Sequence, residues 1–207
     1  MTQPNLKERL LSEEEYFAFD DASEWRHEFW NGYIVAMAGA MPVHNRIVTR
    51  VVISLSNHLS DTNCEVVSSD QKIKASEAVF TFPDVVVSCE DEQFDPRRAG
   101  VLLNPHVLVE VLSPSTGTTD RGAKLAAYQS LPSLQDYLIV WTDMVRVEHY
   151  ARQSETDWRF RRLLNRSETL ELALHDLKIP VAEFYRRLEI PEGVINLELP
   201  FQSEDLN

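Results

Sequence analysis

Val107-Leu-Val-Glu-Val-Leu112 is the stretch on which the fold turns. Five apolar residues with no polar alternation describe a strand covered on both faces. Glu110 interrupts that run. An ionised carboxylate in such a strand costs several kcal/mol unless it is paired or holds a metal. Glu110 therefore sits at the strand's edge over a cleft, or a partner neutralises it; an ion pair with an arginine is the plain alternative to a functional role.

Upstream, Val79–Cys89 (VFTFPDVVVSC) reads as another apolar strand, and it too carries an acid, Asp84, directly after Pro83. A Pro-Asp pair can be no more than a turn leading into a strand. Taken together, the two acids are harder to dismiss. They lie 26 residues apart on strands joined by a polar loop, 90–105, and can stand side by side. At that separation both cannot stay ionised without a cation. Carboxylates are hard ligands, so the cation is Mg (or Mn), which keeps several waters. A hydrated ion of that kind suits phosphodiester hydrolysis, because it acidifies water and neutralises developing charge.

The flanks supply the rest of the fold. Ser12 before Glu13-Glu14-Glu15 reads as an N-cap with acids in the first turn, opening a helix to about Phe19. Glu28–Ala38 reads as a hairpin around Asn31-Gly32. In His44–Leu59 the apolar residues Val48, Val51, Val52, Leu55 and Leu59 recur at helical spacing. Glu65–Ser68 and Gln71–Lys74 are short strands. Gln71 and Lys72 are expected on the surface. Thr119–Ser130 is a helix, Tyr137–Trp141 a buried strand, Val145–Tyr150 and Trp158–Leu163 an antiparallel pair, and Val181–Leu188 a closing helix. The order gives an α/β class, an α+β mixed sheet flanked by helices. Residues 1–191 form one domain and 192–207 an acidic tail.

Composition narrows the function. The chain has 207 residues, 20 Lys+Arg and 33 Asp+Glu, for a net charge of −13. Such a field repels nucleic acid and excludes a protein that coats DNA, though not an enzyme that meets it briefly. The arginines of 145–166 (Arg146, Arg152, Arg159, Arg161, Arg162, Arg166) are the candidate basic surface. No apolar run is long enough to span a membrane, and the first residues lack a secretory h-region. Cys64 and Cys89 are read as free thiols in a reducing cytoplasm.

Phe82-Pro83-Asp84-Val-Val-Val87, Val109-Glu110-Val-Leu-Ser-Pro-Ser115 and Asp120-Arg-Gly-Ala-Lys124 with Tyr128 form an ordered set. It resembles the PD-(D/E)XK nuclease superfamily, and more narrowly the Uma-type restriction-endonuclease-like proteins, a domain of unknown function. The resemblance runs from about Glu28 to Tyr150 and includes His44 at a helix start. It implies a restriction-endonuclease-like fold with Asp84 and Glu110 holding the metal. The superfamily's lysine two residues after the acid is here Leu112, which departs from the pattern. The family's replacement is a lysine on the following helix, here Lys124, whose plain alternative is a solvated residue paired with Asp120. Asp120, Lys124 and Tyr128 share one helix face.

Lys124 then positions or deprotonates the attacking water, and Glu28 is a candidate third carboxylate. The expected substrate is nucleic acid, DNA above all. A homodimer follows by family analogy, since cutting two strands favours paired sites.

Two rivals stand beside this reading. Paired carboxylates with four tryptophans would suit a glycosidase, which needs neither metal nor lysine. A catalytically inactive nuclease-fold assembly module would account for the charge and for Leu112. No Gly-rich phosphate loop is present. The scattered histidines and cysteines give no zinc spacing.

Overall fold

The run Val79–Cys89, one strand by its sequence, is two strands in two different sheets. A computed structural model describes residues 10–37, 39, 41–68, 70–113 and 121–194. In it β5 (Val79–Thr81) ends before Pro83 and β6 (Val85–Cys89) starts after Asp84. Proline has no N–H to give a ladder and restricts the residue before it, so the chain leaves one sheet and enters the other at Phe82-Pro83-Asp84.

The first sheet is built from β1 (His27–Trp30), β2 (Tyr33–Ala36), β4 (Lys72–Ser76), β5, β7 (Phe94–Asp95) and β8 (Arg98–Leu102), in the order β2-β1-β5-β4-β8-β7. The second contains β3 (Cys64–Ser68), β6, β9 (Val107–Leu112), β10 (Asp136–Trp141), β11 (Val147–Arg152) and β12 (Trp158–Leu163), in the order β12-β11-β10-β9-β6-β3. Only β9 and β10 run parallel within it. A small hairpin, β13 (Thr169–Glu171) with β14 (Lys178–Pro180), carries a 3-10 turn, Leu174–Asp176. The helices are α1 (Glu13–Asp21), α2 (Pro42–His58), α3 (Arg121–Gln129) and the single turn α4 (Val181–Phe184).

Alternation along β6 and β9 sorts the core. Val85, Val87, Val107, Val109 and Val111 pack against Ile47, Val51 and Leu55 of α2 and Phe184 of α4. Val86 and Leu108 point the other way, toward Tyr128 of α3 and Ile73, Ala75 and Val79 of the first sheet. Glu110, two residues from Leu108, shares that second face. Leu55 is fully buried, so Leu55→Ala would cost about 2–5 kcal/mol. A third cluster packs Tyr16 and Phe17 of α1 on Phe29, Phe80 and Val101.

Local signals act as expected at several places. Ser12 and Glu15 form a reciprocal capping box at α1. Pro42 opens α2, where its missing N–H costs nothing. Asn31 (φ 49°) and Gly32 (φ 95°) make the β1–β2 turn, and a Cβ on Gly32 would fall 2.8 Å from Leu10 Cβ.

Other expectations are corrected. The 90–105 segment is not a plain loop. It holds the β7–β8 hairpin, turned by Asp95 Oδ1 accepting the Arg97 N–H at 2.8 Å, and its sheet-edge position leaves too few buried residues to show alternation. Lys72 is not a surface residue: its Nζ lies 2.7 Å from Asp20 Oδ2 among the rings of Tyr16, Phe17 and Phe82. The closing helix stops after one turn, with Arg187 at φ 58°.

The described contacts do not stop at Pro191. Glu192 pairs with Arg166, and the Gly193 N–H donates to Leu164 O at 2.8 Å. Nor are the cysteines free thiols. β3 and β6 set Cys64 directly opposite Cys89, and the two form a disulfide. Their separation of 25 residues said nothing, because strand register, not chain distance, brings them together. No helix among the described residues is long and apolar enough to cross a membrane.

Candidate active site at the junction of the two sheets

The strand switch at Pro83 places Asp84 one step beyond the β6–β9 pair Val85↔Val109, so in register it faces Glu110. The Val111 N–H donates to Asp84 Oδ2 at 2.7 Å, which fixes the carboxylate at the sheet's end. From the first turn of α2, His44 Nε2 lies 3.2 Å from each Asp84 oxygen. That hydrogen bond raises the His44 pKa above its ordinary value against the opposing effect of burial.

Glu110 Oε1 accepts from Lys124 Nζ at 3.0 Å and from Tyr128 Oη at 2.7 Å. Lys124 and Tyr128 stand four apart on α3, so one helix face delivers both donors. The same Lys124 ammonium lies 3.1 Å from Glu28 Oε1 on β1. Trp30, two residues along β1 and hence on the same face, donates from Nε1 to Glu28 Oε2 at 3.0 Å. One lysine therefore joins a carboxylate of the first sheet to one of the second. Tyr128 Oη also sits 3.2 Å from Thr81 Oγ1.

The electrostatics are unbalanced. Three carboxylates, Glu28, Asp84 and Glu110, meet one ammonium and one imidazole. Burial pushes the Glu110 carboxyl up to about 7; Lys124 pulls against it, and the Asp84 and Glu28 carboxylates add to it. Burial alone would lower the Lys124 pKa, but Glu110 and Glu28 together hold it above the ordinary lysine value. Burial first, then Glu110, keeps the Tyr128 phenol protonated and able to donate.

The donor set fits a hard divalent cation. Asp84 is 22% exposed beside the 5% exposed Glu110, so the pair opens to solvent at the Asp84 end. Both protein bonds to Glu110 among the described residues fall on Oε1. A cation at this pair would relieve the excess negative charge.

All four residues singled out in the sequence, Glu28, Asp84, Glu110 and Lys124, meet here. The arginine partner considered for Glu110 is absent among the described residues; the cation is Lys124. Asp120, considered as the partner of Lys124, lies outside the described residues. Sequence reading left His44 open, placed Tyr128 in the motif without a role, and gave Trp30 only the sugar stacking of the glycosidase rival. The i+4 spacing from Lys124 and the i+2 spacing from Glu28 were the available signals.

Five of the six arginines considered as a basic surface have protein partners, and Arg159 is exposed. Arg146 and Arg162 pair with buried Glu148, Arg161 with Glu171, and Arg166 with Glu192. Arg152 donates to the carbonyls of Leu134, Gln129, Leu131 and Glu155. These guanidiniums hold the second sheet and its loops.

The restriction-endonuclease-like expectation is met at the level of fold. The chain resembles the crystal structure of "a putative nuclease belonging to DUF820" from Anabaena variabilis ATCC 29413 with a TM-score of 0.68. The match is 15% identical and covers 83% of this chain and 95% of that one. Residues 13–182 match the family described as "Uma2: Putative restriction endonuclease", and the chain belongs to that family. Among its relatives are two uncharacterized proteins of Synechocystis sp. (strain ATCC 27184 / PCC 6803 / Kazusa). One, slr1290, is 37% identical over 181 residues, 86% of this chain and 93% of the relative. The other, sll1609, is 30% identical over 167 residues, 80% of this chain and 94% of the relative.

Proposed function

We propose that the protein is a metal-dependent endonuclease that hydrolyses phosphodiester bonds of nucleic acid, DNA being the expected substrate. The single observation that carries this reading is the meeting of Asp84, Glu110 and Lys124 from two strands and a helix at one solvent-reaching sheet end. Asp84 and Glu110 would hold Mg (or Mn). When bound, that ion supplies positive charge to the non-bridging phosphate oxygens and acidifies nearby water.

The chain's own residues do the rest. Lys124 donates to the attacking water and to the phosphate as its charge grows, which takes the place of the lysine absent at Leu112. Glu28, braced by Trp30, acts on Lys124 and is a positioning residue. Tyr128 orients Glu110 through Oε1. His44 orients Asp84, and when protonated at the cleft mouth it favours an approaching phosphate.

A homodimer belongs to the same proposal. The edge strand β2 exposes Tyr33 (62%) and Val35 (46%), with Met41 (69%) at the start of α2, an apolar margin suited to a second copy. Light scattering of the purified chain at twice the monomer mass is the expected result. The activity itself is tested by nicking of supercoiled plasmid with Mg²⁺ or Mn²⁺. Cleavage should stop with EDTA and return with added metal. Activity on glycosides that survives EDTA, or no metal-dependent cleavage of any nucleic acid, would overturn the reading.

A further inference from the structure

β6 begins just after Asp84 and ends at Cys89, and that far end carries a second cluster. Cys64 and Cys89 face each other across β3 and β6. His175, in the 3-10 turn of the β13–β14 hairpin, brings Nε2 to 3.4 Å from Cys64 Sγ. One ligand atom from each of the three residues lies within 4.8 Å of the other two. In a tetrahedral zinc site with bonds of about 2.3 Å to sulfur and 2.0–2.1 Å to nitrogen, an S···N ligand pair stands roughly 3.6 Å apart. His175 is already at that separation.

The histidine is held there. His175 adopts φ 56°, a left-handed conformation that a residue with a Cβ takes only at a cost. The turn that imposes it is anchored from below. Buried Asp136 accepts the N–H groups of Ala173 (3.0 Å) and Leu174 (2.9 Å), and His149 lies 2.7 Å from the same carboxylate. Beside the cluster, the Cys89 N–H donates to His106 Nδ1 at 3.2 Å. Cys64, Cys89, His106 and His175 all line one open hollow of about 620 Å³.

We propose that the reduced protein binds one zinc ion through Cys64, Cys89 and His175, with the fourth position open to water from the hollow. Sulfur and imidazole select a thiophilic ion over Mg²⁺, so this site and the Asp84–Glu110 pair do not compete for the same metal. Disulfide and zinc are alternative states of the same two sulfurs. A dithiol supplies two electrons and two protons and becomes a disulfide; a phosphine supplies the two electrons and becomes its oxide, with water giving the oxygen and the two protons, and either leaves two thiols. Each thiol then releases its proton as its sulfur takes the ion.

Cobalt is the probe. The full chain is reduced with a phosphine, desalted without oxygen and titrated with Co²⁺. One equivalent should bring in the near-ultraviolet thiolate-to-cobalt charge-transfer band and the visible bands of a tetrahedral ion, with zinc displacing both. Alkylating the reduced, folded protein should abolish the signal, as should Cys64→Ser with Cys89→Ser. His175→Asn, which tolerates the left-handed backbone, should weaken binding at least tenfold. Asp84→Ala should leave it unchanged. Absence of the charge-transfer band in the reduced wild type, undiminished affinity in His175→Asn, or the same band in the oxidised protein would overturn the proposal.

Discussion

Glu110 and Glu148 flank the same residue from opposite sides. Ile139 of β10 pairs with Glu110 on β9 and with Glu148 on β11, so the two glutamates lie in one row on one face of the second sheet. Both are buried. Their partners differ. Glu148 has guanidiniums from two arginines: Arg146 donates through Nε at 2.8 Å and also through Nη2, and Arg162 lies 3.5 Å away. Glu110 has half a lysine, shared with Glu28, and another carboxylate, Asp84, beside it. The difference teaches what marks a site. A buried acid is not unusual when cations surround it. A buried acid crowded with other acids, short of positive charge and next to solvent, is the one for which a metal is proposed.

The largest expected effect separates the two by activity. Lys124→Ala should lower metal-dependent cleavage about 10²–10³-fold, as loss of a donor to developing charge does elsewhere. Glu148→Gln should leave the rate per folded molecule within a few-fold. Equal losses in plasmid nicking would erase the distinction.

Metal linkage comes next. Mn²⁺ at about 100 times its Kd should stabilise the wild type by about 2.7 kcal/mol, a rise in Tm of roughly 5–10 °C. Asp84→Asn should remove that rise, and Glu148→Gln should keep it.

Stability without metal should divide the pair in the opposite sense. Glu148→Ala leaves two guanidiniums facing a gap and should cost about 2–4 kcal/mol in denaturant unfolding, since both arginines are partly exposed. Glu110→Gln should stabilise the metal-free protein at pH 8. The Glu110 carboxyl titrates near 7 in the fold and near 4.5 when unfolded, so its share of stability is complete below 4.5 and is lost as pH rises through 7. The advantage of Glu110→Gln should therefore shrink steadily below pH 7 and vanish by about pH 4, and a gain that persists there would contradict the burial account.

The smallest effect concerns positioning. Trp30→Phe removes the donor to Glu28 and should reduce kcat about threefold to tenfold while leaving KM for DNA unchanged.

The arginine ion pair considered for Glu110 exists in the molecule, two row positions away across Ile139, at Glu148. That near miss shows how far local pattern reaches. VLVEVL marked a buried strand with an acid in it, and the strand is Val107–Leu112. The valines at helical spacing marked α2, and Asn31-Gly32 marked the hairpin. Asp84, Glu110 and Lys124 were legible as residues out of place in apolar runs or as members of a motif. The polar β7–β8 hairpin was not legible, because an edge ribbon buries too little to alternate. The sheet switch at Pro83 was not legible, since Val79–Cys89 is apolar on either side of it and reads as one strand.

The sequence by itself determined the long helices and the buried strands, because propensity and periodicity act over a few residues. It also determined that acids would have to be carried inside them. Only the tertiary structure decided who meets whom: Lys124 with two carboxylates from two sheets, Arg146 and Arg162 with Glu148, Cys64 with Cys89 and His175. Those meetings depend on strand order and register, which the packing of the whole core selects and no short spacing encodes.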